Sequence, residues 1–156
     1  MAACRRVVWL MVLVASCAGV VAAPPAQAPE RDVEAAIDRW AEAFATLDGV
    51  RSAAVYAPDA RLWGTVAREQ ATGHEAIRAY FDSGRQRAKA RRVVFGDRTV
   101  RVYGETAVSS GRYDFHTVLH DGSMTVRHAR FSMTFVRFDG RWLIVDHHSS
   151  EVPPAP

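Results

Sequence analysis

Cysteine is nearly absent from the sequence. Only 2 of the 156 residues are cysteines, and both, Cys4 and Cys17, lie in an apolar N-terminal segment. Without that segment the chain can form no disulfide, no thiolate zinc site and no cysteine nucleophile. Its stability must then come from a hydrophobic core, for which the roughly 127 residues from Glu30 onward suffice.

A strong net charge is also lacking. The 20 basic residues face 17 acidic ones, and loss of a leader that contains Arg5 and Arg6 would make the two numbers nearly equal. This balance does not predict a nucleic-acid-binding surface, and we expect no nucleic-acid partner. One basic cluster remains, RQRAKARR at residues 85–92. It fits either a solvated helix end and loop or a contact for an anion or an anionic lipid.

The N-terminal segment has the layout of a secretory signal. Basic MAACRR precedes an uncharged apolar run that ends near Ala23, and small residues and prolines follow. The alternative, a transmembrane anchor, would need about 20 apolar residues. We therefore predict a signal peptide over residues 1–22 and export to the periplasm or the extracellular space. Because LVASC, ending at Cys17, resembles a bacterial lipobox, a membrane contact is expected only if Cys17 is lipidated.

Hydrophobic periodicity predicts helices in the first half of the chain. Apolar residues recur at helical spacing at Val33, Ile37, Trp40, Phe44 and Leu47. Asp48-Gly49 predicts the end of this helix, with Gly49 in a left-handed cap. A shorter helix is predicted over residues 50–56, and Thr72 with Glu75 forms a capping box that predicts a third helix.

The second half of the chain changes to a period of two. Four successive strands are predicted, and the dipeptides Asp121-Gly122 and Asp139-Gly140 predict two-residue hairpin loops. A short strand at residues 60–64 precedes the third helix. This order predicts an α+β fold, a curved antiparallel sheet with helices on one face. The domain would span residues 32–153, between a linker at 23–31 and a tail at 154–156.

Several segments carry a resemblance to a known family. They are TGHEAIRAYF (72–81), RVYGETAVSSGRYDF (101–115), ARFSMTFVRFDGRWLIVDHHSS (129–150) and the closing Val152-Pro153. They resemble the nuclear transport factor 2-like superfamily, and more narrowly the association (hub) domain of calcium/calmodulin-dependent protein kinase II and its free-standing SnoaL-like bacterial relatives. The resemblance implies a cone, in which a bent sheet wraps about three N-terminal helices and leaves a cavity at its open end.

The resemblance implies several functions, and the absence of kinase motifs argues against kinase activity. Members of the superfamily are oligomerising modules, ligand binders or small-molecule enzymes, so the fold alone does not decide among them. The sequence contains no glycine-rich loop, no VAIK-like strand and no HRD or DFG motif. We therefore expect no kinase activity.

Two adjacent histidines near the C-terminus raise the question of a metal site. Adjacent side chains in a strand point to opposite faces, so His147 and His148 cannot bind the same ion, and we expect neither a metal nor another cofactor. Strict alternation groups Leu143, Val145 and His147 on one face. The opposite face would then hold Trp142, Ile144, Asp146 and His148. The resemblance places Ser149, and with it His147, towards the cavity.

The neighbouring strands supply an aromatic face for a pocket. Its predicted lining is Trp63, Tyr80, Tyr113, Phe115, Met133, His147 and Ser149. The resemblance aligns Tyr113, Met133 and Ser149 with arginines of the kinase hub, so we expect a small apolar or aromatic ligand rather than an anion. A filled core is the alternative. Tyr113 and His147 are the candidate acid/base groups, and the lack of an inward-facing carboxylate favours binding over catalysis.

The predicted outer face of the last strand indicates self-association. Trp142 and Ile144 would lie in water on a monomer, which favours a homodimer or larger assembly. The predicted interface comprises Arg130, Val136, Trp142, Ile144, Asp146 and His148. The sequence thus predicts an exported, stand-alone association-domain-like protein that self-associates and binds a small apolar ligand. The alternative is a small-molecule enzyme of the ketosteroid isomerase type, whether isomerase, hydrolase or oxidoreductase.

Overall fold

The computed structural model describes residues 28–154. The predicted signal peptide, the Cys17 lipobox, most of the predicted linker and the last two tail residues lie outside the described residues. Within the described range, none of the helices combines the length and the apolar character that a membrane span requires.

Three helices precede the main part of the sheet, as expected. They are α1 (Ala28–Ala45), α2 (Gly49–Ala53) and α3 (Gly73–Arg85). Helix α1 begins at Ala28, inside the predicted linker. Its buried face contains Val33, Ala36, Ile37 and Trp40, which share one side of a helix because of their spacing.

The helix ends differ from the sequence predictions in two places. Leu47, with φ 59°, takes the left-handed conformation predicted for Gly49. Asp48 instead caps α2, since its carboxylate accepts the backbone N–H groups of Val50 at 2.8 Å and Arg51 at 3.2 Å. The capping box at Thr72 is wrong, because Thr72 makes no side-chain capping hydrogen bond to α3.

Six strands form one sheet. In chain order they are β1 (Tyr56–Trp63), β2 (Ala71–Thr72), β3 (Ala88–Tyr103), β4 (Thr106–Leu119), β5 (Met124–Phe138) and β6 (Arg141–Glu151), and their order across the sheet is β2-β1-β6-β5-β4-β3. Strands β3 to β6 form an antiparallel meander, while β1 runs parallel to β6. The α+β cone is confirmed, although the sheet is not antiparallel throughout.

The two predicted hairpin loops have different lengths. Asp139 and Gly140, with φ 47° and 78°, form a two-residue loop between the paired residues Phe138 and Arg141, as predicted. Asp121-Gly122 lies in a longer loop, where the Asp121 carboxylate accepts the backbone N–H of Ser123 at 2.9 Å. A local side-chain bond therefore replaces the tight hairpin there.

A β-bulge interrupts the alternation of β6. Thr134 pairs with Asp146 but Phe135 pairs with Ile144, so Val145 is an extra residue in β6. Because one extra residue reverses the faces beyond it, Ile144 and His147 point to the same side of the sheet. Trp142 and Ile144 are 4% and 1% exposed. The prediction that they lie on the outer face is therefore wrong.

The concave face of the sheet holds the core. Trp40 of α1 stacks on Tyr113 of β4, with ring centroids 5.7 Å apart, and Tyr113 stacks on Phe131 of β5 at 4.7 Å. Stacked rings of this kind add to the energy of apolar burial. They also surround the polar side chain of His147, whose ring lies 5.2 Å from that of Trp40.

Candidate ligand-binding site

An inner chamber of about 30 Å³ lies where β1, β4 and β6 meet helices α1 and α3. Its walls include Trp40, Leu62, Tyr80, Tyr113, His147 and Ser149. This volume is close to that of one water molecule, so aromatic side chains fill most of the space. The inner chamber can accept only the tip of a ligand.

A row of buried hydrogen bonds runs along one wall of the inner chamber. The Trp40 indole N–H donates to the Tyr56 hydroxyl at 2.9 Å. The Tyr56 hydroxyl lies 2.8 Å from Nδ1 of His147, and Nε2 of the same ring lies 3.3 Å from the Tyr113 hydroxyl. Three different elements, α1, β1 and β4, thus position the His147 ring of β6.

Burial controls the protonation of these groups. It lowers the pKa of His147 to about 3, with a smaller contribution from His148 in the same direction. Burial also raises the pKa of Tyr56 and of Tyr113 well above the ordinary value of a tyrosine. At neutral pH His147 is therefore uncharged, and both tyrosines keep their protons.

Two aliphatic hydroxyls and a glycine also line the inner chamber. Thr65, just after β1, is hydrogen bonded to Ser149 of β6. A Cβ atom at Gly64 would collide with the ring of Tyr80. Glycine at this position therefore lets Tyr80 of α3 close the chamber against β1.

A larger outer chamber of about 370 Å³ adjoins the inner one. The two share Phe44, Thr65, Tyr80 and Phe115, so these four side chains lie at the boundary between the chambers. Three arginines, Arg87, Arg91 and Arg127, also line the outer chamber. Among the described residues lining it, none is acidic, although Arg127 forms an ion pair with Glu151.

Arg91 is the most enclosed of these cations. Its Nε–H donates to the carbonyl oxygen of Phe44 at 2.5 Å, and its guanidinium carbon lies 3.9 Å from the centroid of the Phe44 ring. Its Nη2 atom is buried and has no hydrogen-bond partner among the described residues. Burial lowers the pKa of Arg91 to about 10, so the group remains charged at neutral pH. The cavity is therefore lined by a partly desolvated cation.

The amino-acid sequence matches a known family over nearly the whole described range. The model of the SnoaL-like domain matches residues 33–156. The chain belongs to the SnoaL-like family. No curated protein matches it.

Solved structures agree with the SnoaL-like assignment. A Xanthomonas campestris protein described as a calcium/calmodulin-dependent protein kinase II association domain is 36% identical, with a TM-score of 0.77 over 86% of this chain and 95% of that chain. A nuclear transport factor 2-like superfamily protein from Salmonella enterica is 18% identical, with a TM-score of 0.71 over 81% and 93% of the two chains. A Streptomyces avermitilis protein described as a dehydratase of the same superfamily is 15% identical, with a TM-score of 0.71 over 80% and 97%. The two more distant proteins share the fold alone.

Five of the predicted pocket residues line the inner chamber of the SnoaL-like cone. They are Tyr80, Tyr113, Phe115, His147 and Ser149. Met133 is fully buried beside His147 in the core and does not line the chamber. Trp63 is 41% exposed, because its neighbour Leu62 occupies the inner face of β1. The placement of Trp63 in the pocket is therefore wrong.

The predicted interface residues fall into two groups. Arg130, Asp146 and His148 are exposed and Val136 is half-buried, so all four remain accessible to a partner. Trp142 and Ile144 belong to the core, as the bulge requires. Val136 is therefore the one apolar residue of the predicted interface that remains accessible.

Sequence reasoning missed four residues of the site. Trp40 and Tyr56 have the pattern of ordinary core residues, and Thr65 lies in a segment without periodicity. Arg91 belongs to the basic cluster at residues 85–92, for which an anion contact was one of two interpretations. Only the fold shows that its side chain turns into the cavity.

Proposed function

We propose that this SnoaL-like protein binds a small amphipathic anion in its cone. The observation that carries the proposal is the partly buried Arg91 guanidinium, which lines the outer chamber together with Arg87 and Arg127 and without an acidic residue among the described lining. Aromatic and aliphatic walls would hold the body of the ligand. The proposal keeps the apolar or aromatic body of the predicted ligand but departs from the expectation of an uncharged molecule, because three arginines line the outer chamber.

The size and charge of the outer chamber support this ligand class. Its 370 Å³ lies at the lower end of the range of small-molecule sites, which suits a molecule with one ring. A carboxylate can accept two parallel hydrogen bonds from a guanidinium, and such charge-assisted bonds are stronger in a partly dehydrated site. The Phe44 ring beneath Arg91 keeps the guanidinium in place.

Titration with 4-ethylbenzoate tests the proposal. We expect binding, measured by NMR chemical shifts, and an affinity loss of about tenfold in Arg91→Met, as for a lost charge-assisted hydrogen bond. Arg92→Met is the matched control, because Arg92 is the exposed neighbour on the other face of β3. Equal losses in both variants, or no binding to the wild-type protein, would contradict the proposal.

A second candidate is catalysis at the inner chamber. The buried Tyr113 hydroxyl beside His147 is the observation that favours it. Enzymes of the ketosteroid isomerase type pair such a donor with a carboxylate base, but among the described residues lining the two chambers none is acidic. Exchange of the acetyl protons of 4-acetylbenzoate in D₂O would reveal enolisation. Exchange faster with protein than without it, and lost in Tyr113→Phe, would favour the enzyme.

Export and self-association are parts of the same proposal. The basic and apolar N-terminal sequence supports export. Mass spectrometry on protein from its native host tests export, since an intact N-terminus would contradict it and a diacylglyceryl mass on Cys17 would select the lipoprotein form.

The name of the 36% identical Xanthomonas protein, an association domain, supports self-association.

A further inference from the structure

We infer that the hydrogen bonds through Trp40, Tyr56 and His147 run in one direction and leave a hydroxyl cluster, Thr65, Tyr113 and Ser149, as a proton donor to the ligand. The inner end of the ligand is then an acceptor oxygen, such as a carbonyl or carboxylate oxygen. This inference rests on the proposed function, because it names the part of the ligand that enters the inner chamber.

The direction is set at Trp40. An indole N–H can only donate, so the Tyr56 oxygen at 2.9 Å must accept. The single proton of the Tyr56 hydroxyl must then find an acceptor, since the group is fully buried. Nδ1 of His147, 2.8 Å away, provides that acceptor.

The direction continues through the imidazole ring. Since Nδ1 accepts, the proton of neutral His147 resides on Nε2. Nε2–H points to the Tyr113 hydroxyl oxygen, 3.3 Å away. This bond is long but lies in a buried site, where the Tyr113 oxygen is the acceptor shown for this N–H.

The row ends in the hydroxyl cluster. Tyr113 accepts from His147, so its own single proton is directed away from the ring, to Ser149 or to Thr65, both of which act on its hydroxyl. Thr65 and Ser149 are also hydrogen bonded to each other. The cluster holds three hydroxyl protons: one goes from Tyr113 to Ser149 or Thr65, and one joins Ser149 and Thr65, so one remains for an acceptor outside the cluster. All three side chains line the inner chamber.

The size of the inner chamber completes the inference. A volume of about 30 Å³ accommodates a single oxygen atom and excludes a ring. A C–H group there would leave a buried hydroxyl without a partner, which is unfavourable. The outer and inner chambers together therefore select a molecule with an acidic group near Arg91 and an oxygen at the opposite end.

NMR of the His147 ring tests the direction without a ligand. In protein labelled with ¹⁵N-histidine we expect the neutral tautomer with the proton on Nε2, unchanged between pH 5 and pH 8. A proton on Nδ1, or a charged ring at pH 6, would overturn the inference. This measurement is independent of the proposed function, because it needs no bound molecule.

Two probes of equal charge and similar size test the ligand assignment. 4-Acetylbenzoate and 4-ethylbenzoate differ by one carbonyl oxygen, so we expect the wild-type protein to bind the acetyl compound about fivefold more tightly. Tyr113→Phe should remove this preference, and a thermal melt of the variant shows whether it is folded. Thr65→Val, at a half-buried position, is the second variant and should reduce the preference in the same way.

The outcomes separate the two proposals. Equal affinity of the wild-type protein for both probes, or equal losses for both in Tyr113→Phe, would overturn the inference while leaving anion binding intact. Failure of both probes to bind would overturn the proposed function and the ligand assignment that rests on it.

Discussion

At the scale of single residues, the cavity separates neutral polar groups from charged ones. His147 lies at the inner end, where burial lowers its pKa to about 3. Arg91 lies at the outer end, where partial burial leaves it charged. A guanidinium tolerates partial burial because it keeps its proton, whereas an imidazole loses its proton there.

The pKa of His147 makes stability depend on pH. The unfolded chain, with an ordinary histidine pKa of about 6.5, takes up a proton below that pH, and the folded chain does not until about pH 3. The stabilisation is complete above pH 6.5 and is lost as the pH falls. We expect the free energy of unfolding to drop by about 2 kcal/mol between pH 7.5 and pH 5 through this residue.

Urea unfolding at several pH values measures this effect. His147→Asn is the matched variant, since its amide oxygen can accept from Tyr56 and the side chain does not titrate. Its stability should be lower at pH 7.5 but less dependent on pH. A wild-type protein of constant stability over this range, or parallel curves for both proteins, would contradict the assignment.

At the scale of elements, the bulge in β6 decides which side chains reach the core. It allows a single strand to direct Trp142 and Ile144, and then His147 and Ser149, to the same concave face. Without it, His147 would follow the outer face defined by Leu143. The bulge is therefore what brings the buried histidine to the inner chamber.

Substitutions on either side of the bulge check this account. Ile144→Ala should lower the free energy of unfolding by about 2–5 kcal/mol, because it opens a cavity in the core. Asp146→Ala, at an exposed position on the outer face, should change it by less than about 0.5 kcal/mol. Chemical denaturation of both variants gives the comparison, and similar small effects would show that β6 alternates without interruption.

The same strand shows how far the sequence could predict the site. Alternation in β4 and β5 correctly placed Tyr113 and Met133 on the inner face, since those strands pair without interruption there. The bulge could not be predicted, because no glycine or other local signal marks Val145. Arg91 was beyond prediction for a different reason: its contacts with Phe44 join residues far apart in the chain.

At the scale of the whole molecule, the outer face of the sheet is the surface left for assembly. Its centre is a row of short and polar side chains, where Ser110, Ser132 and His148 are neighbours on adjacent strands. Trp63 lies beside His148 and is 41% exposed. Trp142 and Ile144 pack in the core and add no apolar strip to this face, so a sheet-to-sheet contact there would be made mainly by polar side chains.

Self-association through this face is the corresponding prediction. We expect the mature protein at tens of micromolar to be a dimer or larger in light scattering, as proposed from the similarity to an association domain. Ser132→Arg should shift it towards monomer, because a long charged side chain at the centre of a sheet-to-sheet contact would be buried without a partner. Gln86→Arg, on the exposed end of α3, adds the same charge away from the sheet and should leave the assembly unchanged.

A wild-type monomer would refute self-association, while an oligomer that survives Ser132→Arg would place the contact on another surface. Because the outer chamber opens at the end of α3 and not on the outer face, Ser132→Arg should leave ligand affinity unchanged.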